Sequence, residues 1–144
     1  MPFARRLVVI LALAAPLPAL ADTDRSDPVA VSDAFLTAFK ARDLDTLATL
    51  VNRYNRTLFD AIAAEGENHP DYAEVFSGWR GEAADAWDGE TLELRYDDDQ
   101  AWVRFGDISA DETAILVLDD EDGWAITDIN SPARADCDAK PATR

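Results

Sequence analysis

The hydrophobic pattern begins with helical spacing. Apolar residues recur every three or four positions across 31–39, which is the spacing of one buried helix face. Asp27 is a suitable N-cap for this helix, because its side chain can accept a hydrogen bond from the first turn. Asp43 is a suitable N-cap for a second, short helix over 44–51. These positions predict two helices that meet at a tight corner.

Two further helical stretches are predicted before the pattern changes. One runs from about Tyr54 to Glu65 and ends at Gly66. The next keeps an apolar stripe from Tyr72 to Trp87 but contains Gly78 and Gly81. Each glycine costs a helix about 1 kcal/mol relative to alanine, so we expect a kink or break there.

After residue 89 the pattern alternates between apolar and polar positions, as it does in half-buried strands. Four short runs have this character: 91–96, 101–108, 113–118 and 124–130. The gaps between them are short, which favours hairpins and an antiparallel meander. The sequence therefore predicts an α+β fold in which N-terminal helices pack on a curved, mainly antiparallel four-stranded sheet.

The two ends of the chain are predicted to lie outside the domain, which spans 28–131. Residues 1–21 combine Arg5-Arg6, a nine-residue apolar run and the small-x-small sequence at 19–21, which is typical of a secretory signal peptide. The apolar run is too short for a membrane anchor, which needs about 20 residues. We expect cleavage after Ala21 and a periplasmic or secreted protein with no membrane attachment. Residues 22–27 and 132–144 are interpreted as loose tails.

The chain is strongly acidic, with 29 acidic and 13 basic residues and a formal charge of −16. Without Arg5 and Arg6 the charge is −18. Residues 82–128 hold 16 of the acids but only two bases, Arg95 and Arg104. This balance argues against nucleic-acid partners and anionic membranes. It is typical of a solvated sheet surface.

Few residues are suited to catalysis or to metal binding. His69 is the only histidine and is predicted to be exposed in a loop, so a histidine-based triad is not supported. Cys137, the only cysteine, excludes an intramolecular disulfide and leaves only an intermolecular one open. The acidic run 119–123 resembles part of a calcium loop, but Leu118 and Ile129 would occupy the first and last ligand positions, which leaves open only weak divalent binding at a hairpin tip. We predict no metal and no cofactor.

Three segments of the chain resemble the nuclear transport factor 2-like (ketosteroid-isomerase-like) superfamily. They are the helix pair 31–51 with its Asp-Leu-Asp corner at 43–45, the strands from Thr91, and the closing strand 123–129. The resemblance implies a cone-like fold in which a curved sheet wraps a helix and leaves a pocket. It implies no single activity, because isomerases, dehydratases and binding proteins share that fold.

No catalytic assignment follows from the resemblance. The isomerase branch uses an aspartate base with tyrosine and a protonated aspartate, but the opening helix has Phe35 and Phe39 and no tyrosine. The dehydratase branch relies on pocket histidines, and this chain has only His69.

Tryptophan and arginine residues are the best candidates for lining a pocket. Alternation predicts that Trp102 and Arg104 share one face of the second strand, and that Trp124, Ile126 and Asp128 share one face of the last strand. An arginine among tryptophans can hold an anionic or aromatic ligand by bidentate bonding and stacking. The alternative is that the tryptophans are core residues and that Arg104 pairs across strands with Glu93 or Asp128. The candidate ligand-binding residues are Trp79, Arg80, Trp102, Arg104, Trp124 and Asp128.

Three functions remain open from sequence. The favoured one is a secreted domain that binds a small molecule or a protein partner without catalysis, and a homodimer is compatible with it. The second is a pocket enzyme of isomerase, dehydratase or hydrolase type, with Asp128 or Glu93 as general base. The third is an acidic inhibitor or immunity-type protein that binds a basic secreted partner.

Overall fold

The computed structural model describes residues 23–90, 92–106 and 114–130, and in this part of the chain helices precede strands. The α+β prediction is confirmed. The predicted signal peptide, Cys137 and the tail 132–144 lie outside the described residues. The helices are α1 (Pro28–Ala41), α2 (Leu44–Leu50), α3 (Arg53–Glu65), α4 (Tyr72–Ser77) and α5 (Trp79–Asp85). The strands are β1 (Leu92–Asp97), β2 (Gln100–Phe105), β3 (Ala114–Asp120) and β4 (Trp124–Asn130).

Side-chain caps begin the first two helices, as the sequence predicts. The Asp27 carboxylate accepts a hydrogen bond from the amide of Val29 at the start of α1. At the start of α2, Asp43 accepts one from the amide of Thr46 at 3.2 Å and another from its hydroxyl at 2.7 Å. These bonds satisfy donors that a helix leaves unpaired in its first turn. The corner between α1 and α2 is therefore built from local chemistry.

The predicted break in the fourth helical stretch is confirmed at Gly78, which separates α4 from α5. A β-carbon on Gly78 would lie 2.8 Å from the carbonyl oxygen of Glu74. At Gly81 a β-carbon would collide with the carbonyl group of Phe76. Both glycines allow two backbones to approach closely, and the sharp turn between α4 and α5 depends on them.

The four strands form one antiparallel sheet in the order β1-β2-β3-β4. Burial alternates along β2, whose odd-numbered residues are buried beneath the helices. Helix α1 crosses this inner face and contacts β1, β2 and β4. The core thus lies between α1 and the sheet. Its largest fully buried side chains include Leu36, Phe39, Leu47, Ile62, Phe105, Leu116 and Leu118.

A bulge in β4 changes the predicted faces of that strand. Ile126 pairs with Leu118 and Asp128 pairs with Val117, so Thr127 is the extra residue. Because neighbouring residues of β3 point to opposite faces, their partners Ile126 and Asp128 also lie on opposite faces. Trp124 and Ile126 share a face as predicted, but the prediction that Asp128 shares it is wrong.

The segment before α1 is held against the sheet. The amide of Trp124 donates to the carbonyl of Arg25 at 2.8 Å, and the Arg25 Nε donates to the carbonyl of Trp124 at 3.2 Å. Residues 24–26 also form a turn, in which Asp24 accepts bonds from the amide and hydroxyl of Ser26. The described residues of the predicted loose tail therefore protect one end of β4, an edge strand.

Arg42 joins three helices at the end of α1. It adopts a left-handed backbone conformation, with φ of 57°, and its guanidinium donates to the carbonyl of Phe39. The same group donates to both carboxylate oxygens of Asp85, at 3.1 and 2.9 Å, and lies 4.8 Å from the ring centre of Phe76. The hydrogen bond from Arg42 holds the pKa of Asp85 below its ordinary value.

Replacing Asp85 with asparagine is expected to make stability less dependent on pH. A carboxylate whose pKa is lowered by folding stabilises the protein above its ordinary pKa of 3.8, and this stabilisation is lost as the pH falls through the folded pKa. The side chain is 45% exposed, so the loss at neutral pH should be about 0.5–1 kcal/mol. Urea unfolding from neutral pH to below pH 3.8 measures it. The control D33N changes an exposed α1 carboxylate, and a D85N deficit that stays constant with pH would contradict the prediction.

In the described residues, no helix is long and apolar enough to cross a membrane.

Candidate functional site

A cleft of about 250 Å³ lies between the helices and β4. Its volume exceeds the roughly 150 Å³ of an apolar cavity that binds benzene, and it is slightly below the pockets that hold drug-sized ligands. Helices α1, α3, α4 and α5 contribute to its walls. The cleft therefore has room for a small ligand. Its polar lining residues are Asn55, Asp71, Glu74, Arg80, Thr127 and Asp128.

Aromatic rings form much of the apolar lining. Phe35 and Phe39 lie one turn apart on α1, and their ring centres are 5.7 Å apart. Phe59 of α3 and Ile126 of β4 are also apolar lining residues. All four are at least 93% buried, since their exposed fractions are 2%, 1%, 7% and 2%. Core packing therefore fixes the shape of the apolar surface that a ligand would meet.

The β4 wall of the cleft is fixed by hydrogen bonds to its carbonyl groups. Three carbonyls of this edge strand accept bonds from the helical layer, which leaves fewer free groups for another strand. The bulge also bonds inward, because the hydroxyl of Thr127 donates to the carbonyl of Val117 at 3.0 Å. The contacts are Asn52 amide to Ile126 at 2.8 Å, Asn55 Nδ2 to Thr127 at 2.7 Å, and Arg80 Nε to Ile129 at 3.1 Å.

Arg80 is held by groups of its own chain. Besides the bond to Ile129, its Nε lies 3.7 Å from Oδ1 of Asp128, and its guanidinium carbon is 5.0 Å from the ring centre of Trp79. Oδ1 of Asp128 also accepts a hydrogen bond from the amide of Ile129 at 2.8 Å. The charge of Arg80 is therefore balanced by Asp128, and its guanidinium is oriented before any ligand arrives.

Two more carboxylates lie on the α4 side of the cleft. Asp71 precedes α4, and Glu74 is an exposed residue in its first turn. The Nδ1 of His69 accepts a hydrogen bond from the amide of Asp71 at 3.2 Å and lies 3.9 Å from Oδ2 of the same residue. The cleft lining thus holds three carboxylates and one guanidinium. Its formal charge is −2.

The six candidate residues from sequence do not form one site. Arg80 and Asp128 line the cleft, and Trp79 stacks beside it while remaining 43% exposed. Trp124 is buried in the core, with 8% of its surface exposed. The remaining two candidates lie on the outer face of the sheet, away from the helices.

That outer face explains the positions of Trp102 and Arg104. Both are half-buried and alternate with the core residues of β2. Arg104 donates to the carboxylate of Glu93 at 3.3 Å, so the predicted cross-strand pair is confirmed. Trp102 lies between Arg95 and Val117 in the register. Strand alternation predicted this shared face, but not that it points away from the cleft.

Most of the cleft lining was not predicted from sequence as a site. Phe35 and Phe39 were predicted to lie on an apolar helix face, and that signal was sufficient to find them. Asn55, Asp71 and Glu74 carry no recognisable motif, because their approach to β4 depends on how the helices pack. The sequence therefore suggested only tryptophan, arginine and Asp128 side chains as pocket residues.

Of the two general bases that the sequence suggests, Asp128 and Glu93, only one lies in the cleft. Glu93 lies on the outer face with a 50% exposed side chain, so it does not meet the requirement for a pocket base. His69 is not the exposed loop residue that we expected, because its side chain is only 12% exposed, but it does not line the cleft. Asp128 is the one candidate base that does. Among the described residues, no three histidine, cysteine or acidic side chains are grouped as a metal site.

The structure establishes an α+β fold of five helices followed by one four-stranded antiparallel sheet in the described residues. Comparisons with protein families, with curated proteins and with solved structures find no match.

Proposed function

We propose that this protein binds a small, largely apolar molecule in the cleft between the helices and β4, without chemical conversion. The observation that carries the proposal is the buried aromatic lining of a cleft of about 250 Å³. Apolar walls with a few oriented polar groups are the usual composition of small-molecule sites. Burial of the ligand against Phe35, Phe39 and Phe59 would supply most of the binding free energy.

The absence of catalysis in this proposal is supported by the state of the polar groups. Arg80 bonds to Ile129 and pairs with Asp128, and Asn55 bonds to Thr127. These side chains brace the cleft wall, which is a positioning role. The other two lining carboxylates, Asp71 and Glu74, face solvent, whereas a catalytic base must contact the proton that it removes from the bound molecule.

We also propose that the domain is related to the nuclear transport factor 2-like superfamily and that it is exported from the cell. The order of helices before strands, together with a cleft between the two layers, supports a nuclear transport factor 2-like relation. The signal-like sequence at 1–21 supports export to the periplasm or the medium. In that setting the domain would act as a secreted carrier or sensor of its ligand.

Binding can be tested with a neutral probe that has one ring, 3-phenylpropanol, titrated by calorimetry or by ligand-observed NMR. V75W should weaken binding at least about tenfold, because the larger side chain would occupy the cleft. The matched control I115W places the same ring on the outer face of β3 and should leave the affinity unchanged. Absence of binding to the parent protein, or equal binding by V75W, would contradict the proposal.

A pocket enzyme is the second candidate, and the position of Asp128 in the cleft favours it. The two functions differ in what happens to a bound compound. The binding proposal expects the compound to be recovered unchanged by mass spectrometry from both the parent protein and D128N. Conversion by the parent that D128N abolishes would establish the enzyme instead.

A further inference from the structure

We infer that the ligand is an organic amine, with a cationic head at the mouth of the cleft and an apolar body against its aromatic lining. This inference rests on the proposed function, since it names the chemical class of the molecule that the same cleft binds. Its basis is the charge balance of the lining, considered together with the shape and polarity of the cleft.

The one basic side chain of the described cleft lining already interacts with groups of the protein. Arg80 is the only basic residue that lines the described cleft, and its Nε bonds to the carbonyl of Ile129 and lies 3.7 Å from Asp128. Its guanidinium also stacks on Trp79. An anionic ligand would have to compete with Asp128 for this group, and it would meet two further carboxylates.

The negative charge of the lining is not neutralised to the same extent. Within the described residues, no lysine or arginine pairs with Glu74 or Asp71; the neighbour of Asp71 is His69, whose Nδ1 accepts a bond from the Asp71 amide and lies 3.9 Å from its Oδ2. Two carboxylates therefore remain to receive a cation. An ammonium group is suited to both, because it offers several donors and a compact charge.

The apolar lining determines the rest of the molecule. Phe35, Phe39 and Phe59 can bury one aromatic ring or a short hydrocarbon chain. Such a body removes its apolar surface from water, while an amine at its end stays near the half-exposed carboxylates at the mouth. The volume of about 250 Å³ favours a single ring over a fused polycyclic ligand.

The acidity of the residues in and around the sheet also favours a cationic ligand. Residues 82–128 carry a formal charge of −14, from 16 acids and two arginines. A field of this sign attracts cations and repels anions as they approach, with a strength that decreases as salt is added. Selection against anions thus occurs both in solution and at the cleft.

Three probes that differ only at one end test the inference: 3-phenylpropylamine, 3-phenylpropanol and 3-phenylpropanoate. At low salt the amine should bind about two- to tenfold more tightly than the alcohol, and the carboxylate should bind most weakly. The advantage of the amine should shrink as ionic strength rises. Ligand-observed NMR gives all three affinities on the parent protein.

Charge-removing variants identify the groups that receive the amine. E74Q and D71N should each weaken amine binding about two- to fivefold and leave the alcohol unchanged. E121Q removes the same charge from an exposed residue between β3 and β4, outside the cleft lining, and should have little effect on either probe. A general field effect would instead give E121Q and E74Q the same loss.

The outcomes separate this inference from the proposed function. If the alcohol or the carboxylate binds as tightly as the amine, and V75W removes that binding, the amine inference is wrong and the binding function stands. If none of the three probes binds, both are wrong. If the amine binds but V75W does not weaken it, the amine is held elsewhere on the acidic surface and both are contradicted.

Discussion

Replacing Gly81 with alanine is expected to lower the free energy of unfolding by about 3 kcal/mol or more. The added β-carbon would overlap the carbonyl group of Phe76, a backbone group that cannot rotate away. Relief would require α4 and α5 to separate, and α5 also packs against α1. Urea unfolding followed by tryptophan fluorescence measures the loss.

Gly66→Ala is the matched control for this substitution. Gly66 ends α3 with φ of 62°, and a β-carbon there would have no atom within 4 Å. The backbone at Gly66, with ψ of −140°, lies in a region used almost only by glycine, so alanine there should cost about 1–3 kcal/mol through strain without any steric overlap. A loss at Gly81 no larger than the loss at Gly66 would show that the close approach of α4 and α5 is not required.

Truncating Phe39 to alanine is expected to destabilise the protein by about 3–5 kcal/mol. Its ring is 1% exposed and packs against Phe35 and Phe76, with centre-to-centre distances of 5.7 and 4.8 Å. The guanidinium of Arg42 lies 5.7 Å from the same ring, so its removal also weakens the junction of the helices. Thermal and urea unfolding of the variant provide the test.

Tyr54→Ala is the control for the loss of an aromatic ring. Tyr54 is 86% exposed, and truncating a surface side chain of this kind should change stability by no more than about 0.5 kcal/mol. If Phe39→Ala and Tyr54→Ala gave similar losses, the cluster around Phe39 would not be the centre of the helical layer. F39L, which keeps an apolar side chain, should retain part of the stability that alanine loses.

Local sequence patterns were sufficient to predict the helices and strands of the fold. Asp27 and Asp43 cap helices because their side chains bond to amides two or three residues ahead. The break at Gly78 also follows from a local property, the weak helix propensity of glycine. Alternation predicted the burial along β2 correctly. Each of these features depends on residues that are close in the chain.

Features that depend on distant residues were not predicted. The bulge at Thr127 adds one residue to β4 relative to β3, and no single residue type signals it. Because of this bulge, Asp128 lies on a different face from Ile126. The role of Arg25 at Trp124 likewise requires residues 99 positions apart to meet.

The candidate site was predicted only in part, for the same reason. The sequence predicts Arg80 and Asp128 as pocket residues, and both line the cleft. The same reasoning selects Trp102, but alternation identifies a shared face without showing which face of the sheet the helices cover. Asp71 and Glu74 line the cleft because of where α4 packs, and no local motif signals that position. Packing between layers therefore decides the site.

The most direct test of the central claim is where a bound ring lies. Intermolecular nuclear Overhauser effects between 3-phenylpropanol and the methyl groups of the protein report contacts at atomic distance. The cleft predicts signals to Leu58, Val75 and Ile126, which line it. Signals instead to Ile115, on the outer face of β3, would contradict the claim and place binding on the opposite side of the sheet.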